Sequence, residues 1–97
     1  MPSPSSDSAT AGADVTVALP AGIDLHARPA AQFVRLAMGF GARITVSAGE
    51  RAVDAKSLLS VLSLGAKSGT SLRLAADGDD APDAVAALAA CVASLTE

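Results

Sequence analysis

The spacing of apolar residues sets the tightest limit on what this chain can fold into. From Asp14 to Leu19 it alternates, with Val15, Val17 and Leu19 on one face, which is the period of a half-buried strand. After Pro29 the period becomes helical. Ala30, Phe33, Val34 and Ala37 share one face of a helix predicted over residues 27–38, with Gly39 and Gly41 supplying a left-handed cap at its end. Alternation returns from Ala42 to Ser47, with Ile44 and Val46 inward. A turn at Ala48-Gly49-Glu50 leads to a short hairpin partner, Arg51 to Asp54. Ser57 to Leu64 reads as a short helix that Ser57 can cap and Gly65 ends. Ser71 to Ala76 alternates through Leu72, Leu74 and Ala76. Beyond the turn Asp77-Gly78-Asp79-Asp80 comes a last helix, with Asp80 as its cap, Pro82 and Asp83 in its first turn, and a core stripe of Val85, Leu88, Ala89, Val92 and Leu95.

The order β-α-β-β-α-β-α implies an α+β domain with one mostly antiparallel sheet and its helices on one side. The other sheet face is then open to water, which fits Thr16, Thr45 and Arg73 at the alternate positions. Met1 to Ala13 is rich in Ser, Pro and Ala and has no periodicity. It is expected to be a disordered tail, with the domain running over residues 14–97. At 97 residues and 51% hydrophobic, the chain can form one domain with a real core. That core is aliphatic, since Phe33 and Phe40 are the only aromatics.

Composition also narrows function. A net charge of -3 with two aromatics argues against nucleic acid, which wants a basic face and stacking platforms. A single cysteine, Cys91, excludes an internal disulfide and a cysteine zinc site, and reads as a small buried hydrophobe on the last helix. No metal or cofactor is called for. No apolar stretch is long enough for membrane insertion, and the first residues lack the basic and apolar regions of a secretory signal. A cytoplasmic protein is expected.

The chemistry concentrates at Leu25-His26-Ala27-Arg28-Pro29. His26 is the only histidine. Proline suits the first turn of a helix, so His26 falls at or just before a helix N-terminus. Free backbone N–H groups and the positive end of the helix dipole make an anion site there. Arg28 adds a guanidinium that can grip phosphate with two hydrogen bonds. On the pentapeptide alone, a capping histidine and a phosphoryl-carrying histidine both stand. Arg28, Gln32 and Arg35 lie on the helix face away from the core, a basic patch suited to acidic partners. The helix from Ser57 carries Leu58, Leu59, Val61, Leu62 and Leu64, too many apolar residues for one face. Either some form an exposed docking patch or a loop covers them.

Two segments together resemble HPr, the histidine-containing phosphocarrier of the phosphoenolpyruvate-dependent sugar phosphotransferase system. The first is Leu25-His26-Ala27-Arg28-Pro29-Ala30-Ala31. The second is Lys56-Ser57-Leu58-Leu59-Ser60-Val61-Leu62-Ser63-Leu64-Gly65. The resemblance covers about Val15 to Leu95. It implies an open-faced β-sandwich of four antiparallel strands and three helices. It also implies a stoichiometric carrier rather than an enzyme: His26 takes a phosphoryl group on Nδ1 from enzyme I and passes it to an enzyme IIA domain. Arg28 and the backbone N–H of Ala27 would then stabilise the phosphate. Ser57 would be the regulatory serine that an HPr kinase/phosphorylase modifies in some bacteria. Leu58, Leu59 and Leu62 would join Arg28, Gln32 and Arg35 in partner binding. A nitrogen-type regulatory paralogue would share the same site, and is the alternative. A small hydrolase using His26 as general base lacks a nearby nucleophile and acid. One departure stands out. Where the family often has glycine before the Leu-His pair, this chain has Asp24, which tolerates the left-handed conformation and puts a negative charge near the site.

Overall fold

A computed structural model describes residues 12–95. The elements are β1 (Gly12–Ala18), α1 (Ala27–Ala37), β2 (Arg43–Ala48), β3 (Arg51–Asp54), α2 (Leu58–Ser63), β4 (Ser71–Asp77) and α3 (Ala81–Ala93). This is the expected order. Of the expected tail, residues 1–11 lie outside the described residues. Gly12 and Ala13 belong to β1, where they face Asp77 and Ala76.

The strands form one sheet in the order β1-β4-β2-β3, with every neighbouring pair antiparallel. β4 therefore threads between β1 and β2. The register explains why. Val15 faces Leu74, Leu74 faces Val46, and Val46 faces Val53, which makes one aliphatic row across all four strands. A slip of one residue would turn that row to water. The alternate positions face solvent. Arg73 on β4 is exposed there and pairs with Asp14 at 2.6 Å, a surface contact that contributes little.

The three helices cover the other face. α1 buries Pro29, Ala30, Phe33, Val34 and Ala37, and α3 buries Ala81, Ala84, Val85, Leu88 and Val92. α2 buries only Val61. Phe33 is fully enclosed, and the rest of the core is aliphatic.

Three local expectations are corrected. Gly39 and Gly41 do not take a left-handed cap, since neither has positive φ. α1 tightens instead: Gly39 N–H donates to Leu36 O at 3.0 Å and Phe40 N–H to Ala37 O at 3.2 Å. Those three-residue bonds use the last carbonyls, so no left-handed residue is needed. Asp80 stands at the N-cap of α3, but its side chain makes no capping bond. Its carboxylate reaches across the fold and accepts from Gly41 N–H at 2.9 Å and Ala42 N–H at 2.8 Å. Satisfying two amides that enter β2 outweighs satisfying one of its own helix. Cys91 is half-buried rather than buried, and that burial pushes its thiol pKa up.

The turn before α3 is built for this clasp. Gly78 has φ 148, and a Cβ there would come 2.9 Å from Ala42 Cα. Only glycine lets the turn lie against the start of β2. Gly65, at φ 61, ends α2 as expected.

Candidate phosphoryl site

Leu25 and Ala66 fasten the loop that carries His26. Leu25 N–H donates to Ala66 O at 2.9 Å, and the buried Leu25 side chain anchors the segment in the core. His26 is the N-cap residue of α1, with extended backbone (φ -85, ψ -171), and its side chain makes no capping hydrogen bond. The cap role is thus carried by its backbone: Ala30 N–H donates to His26 O at 2.8 Å, the first bond of the helix. The imidazole stands 69% exposed. Ala27 and Arg28 occupy the first turn, where N–H groups have no partner within the helix, and Pro29 has no N–H to leave unmade. The site is therefore a ring in the open beside the positive end of α1, with an exposed arginine two residues on.

The expected partner residues divide cleanly. Arg28, Gln32 and Arg35 are all exposed along one stripe of α1. On α2, Leu59 is 81% exposed and Leu58 is exposed too, whereas Leu62 is half-buried against the core. A cavity of about 390 Å³ joins the two helices, walled by Leu25, His26 and Ala27 on one side and Leu62, Gly65, Ala66 and Lys67 on the other. A larger polar groove of about 500 Å³ lies among Gly41, Arg43, Asp54, Lys56 and Asp77. It holds no histidine, so the smaller cavity, which His26 helps to wall, is the one that bears on the chemistry. Ser57 caps α2 as expected, accepting from Ser60 N–H at 3.3 Å.

Asp24 does not use the left-handed conformation, since no non-glycine residue has positive φ among the described residues. Nor does it simply point to water. Its Oδ1 accepts from Ser68 N–H at 2.7 Å, and its Oδ2 lies 3.5 Å from His26 Nε2. Ser68 was not singled out in the sequence. It contributes a backbone amide, which has no side-chain mark to read.

The family profile described as "PTS HPr component phosphorylation site" matches residues 12–94. The chain belongs to the HPr family. It is a phosphocarrier of the phosphotransferase system, and its place in that system implies phosphotransfer partners. It is 45% identical over 71 residues to the phosphocarrier protein HPr of Haemophilus influenzae, covering 73% of this chain and 84% of that one. It is also 48% identical over 81 residues to the multiphosphoryl transfer protein of Xanthomonas campestris pv. campestris. That match covers 84% of this chain but only 9% of the much longer relative. The crystal structure of the phosphocarrier protein HPr from Bacillus anthracis superposes with a TM-score of 0.80 at 36% identity, covering 84% of this chain and 96% of that one. The four-stranded antiparallel sheet with three helices is the fold they share.

Proposed function

We propose that His26 is the carrier residue, and that it accepts the phosphoryl group on Nδ1 from enzyme I and passes it to an enzyme IIA domain. The observation that carries this reading is the exposed imidazole at the α1 N-cap, released from capping and set beside free amides and Arg28. The Nδ1 lone pair forms a bond to phosphorus as the donor's bond to phosphorus breaks, and the donor keeps that electron pair. Catalysis of this kind is positioning plus electrostatics. A neutral imidazole attacks phosphorus, and the positive helix end and Arg28 draw the incoming phosphoryl oxygens toward it. Afterwards the same groups, with the N–H of Ala27 and Arg28, face the phosphoryl oxygens. The site is shallow and wet, so it holds phosphate loosely enough to give it back.

The protein acts stoichiometrically in the cytoplasm, with no cofactor. The exposed stripe Arg28, Gln32 and Arg35 meets acidic partner surfaces, and Leu58, Leu59 and Leu62 supply the apolar part of the contact. Ser57 is a site for an HPr kinase/phosphorylase, since phosphate at a helix start is electrostatically tolerated while its charge opposes an acidic partner. The similarity to the phosphocarrier protein HPr of Haemophilus influenzae favours this reading over a nitrogen-type regulator.

The test is incubation with phosphoenolpyruvate and purified enzyme I. Wild type gains an acid-labile, alkali-stable phosphate, and His26→Ala gains none while keeping its circular dichroism spectrum. Phosphate that persists in His26→Ala would sink the assignment.

A further inference from the structure

Every nucleophilic imidazole has a tautomer problem. Neutral histidine carries one ring proton, and the nitrogen that holds it has no lone pair to attack with. Here one nitrogen faces a fixed acceptor. Asp24 Oδ2 is 3.5 Å from His26 Nε2, while Oδ1 is held at 2.7 Å by Ser68 N–H. Ser68 belongs to a loop that is itself pinned: Gly69 N–H donates to Leu19 O at 3.1 Å, and Lys67 N–H donates to Thr70 Oγ1 at 3.2 Å. The carboxylate therefore cannot swing away without breaking a short bond. A carboxylate only accepts, so the nitrogen it faces is favoured as N–H. The 3.5 Å spacing belongs to the free protein, and such contacts tighten when the reacting complex forms.

We infer that Asp24 is a positioning residue for His26: anchored by the Ser68 amide, its carboxylate keeps the ring proton on Nε2 and leaves Nδ1 with the attacking lone pair. This rests on the proposal that Nδ1 takes the phosphoryl group. During transfer the bond from phosphorus to the donor breaks, its electron pair staying with the donor, as the bond to Nδ1 forms. The Nε2 proton stays where it is, and positive charge grows on the ring opposite Asp24. On the return step the electron pair goes back to Nδ1 and the ring is again the Nε2–H tautomer. No proton leaves the protein in either direction.

The anchor makes a sharp test possible. In Asp24→Asn only the amide oxygen can accept from Ser68 N–H as the carboxylate did, so it keeps that place and the NH₂ group turns to His26 Nε2. A donor there favours a bare Nε2 and moves the ring proton to Nδ1, the nitrogen that must attack. Asp24→Gly removes the side chain and imposes neither tautomer. The measurements are ¹⁵N NMR of the neutral ring and the rate of phosphorylation by enzyme I. The expected result is that Nε2–H dominates in wild type, Nδ1–H gains in Asp24→Asn, and rates fall in the order wild type, Asp24→Gly, Asp24→Asn. The Asn variant should be about three- to tenfold slower than wild type, well short of the ~10⁴ seen for the same substitution in a buried serine-protease triad, because water screens this ring. Equal rates for the Gly and Asn variants, or ¹⁵N shifts that do not move, would overturn the assignment and leave Asp24 as a loop clasp only. The ¹⁵N arm needs no phosphoryl donor. If wild type failed to accept phosphate, the carrier proposal would fall while the tautomer result remained readable.

Discussion

Asp24 and Asp80 each reach across the fold to hold a distant loop by its backbone, one 44 residues away and the other 38 and 39. Asp80 spends both oxygens on amides, Gly41 N–H and Ala42 N–H, where β2 begins. Asp24 spends one on Ser68 N–H and turns the other toward His26. The surroundings differ in the same sense. Asp80 sits against a turn so close that Gly78 has no room for a Cβ, whereas Asp24 lies in an open loop beside an exposed ring. A carboxylate with both oxygens engaged is a fastener. One with an oxygen to spare can fasten and also act on its neighbour. The contrast predicts that damage at the Asp80 end is read as lost stability, and damage at the Asp24 end as lost rate.

The largest stability effect should come from Gly78→Ala. The new methyl meets Ala42 Cα at 2.9 Å, and φ 148 is a backbone region that residues with a side chain avoid. Strain of this kind costs about 1–3 kcal/mol for the backbone alone, and the clash adds to it. A domain this size loses roughly 4–8 °C of Tm per kcal/mol, so thermal unfolding should fall by ten degrees or more, on the order of that slope. An unchanged Tm would show that the turn is slack and would remove the basis for calling this end a rigid clasp. Next comes Asp80→Ala, which strands two amides, one of them part-buried. The expected loss is about 1–3 kcal/mol by denaturant titration, with phosphorylation by enzyme I unchanged in the folded protein. A slower transfer in that variant would break the division between the two ends.

These two ends also mark what could be read from the sequence. The face of α1 was legible because Ala30, Phe33, Val34 and Ala37 repeat at helical spacing, and all four are buried. The alternation of Leu72, Leu74 and Ala76 likewise placed β4 correctly, and all three are buried. The place of His26 at the start of α1 was legible because Pro29 suits a helix's first turn, and His26 is the N-cap residue. Asp80 was misread because a local rule sees only the amides of its own helix, and the two it serves are at Gly41 and Ala42. Gly39 and Gly41 were misread for a related reason: a glycine permits the left-handed cap but does not require it, and α1 closed with tighter bonds. Ser68 was invisible because its contribution is a backbone N–H, common to every residue but proline, whose value depends on β1 and β4 lying side by side.

The smallest stability effect separates the two clasps most directly. Asp24→Ala removes one hydrogen bond in an exposed setting, and water can take over at Ser68 N–H. The loss should be about 0.5–1.5 kcal/mol and below that of Asp80→Ala measured in the same buffer. The loop has other ties, since Leu25 N–H to Ala66 O survives the substitution and the Leu25 side chain stays buried. Hydrogen exchange at the Leu25 amide should therefore remain slow in Asp24→Ala. Faster exchange there, or a stability loss equal to that of Asp80→Ala, would mean that Asp24 is the main fastening of the loop. Its effect on His26 would then be secondary to holding the chain in place.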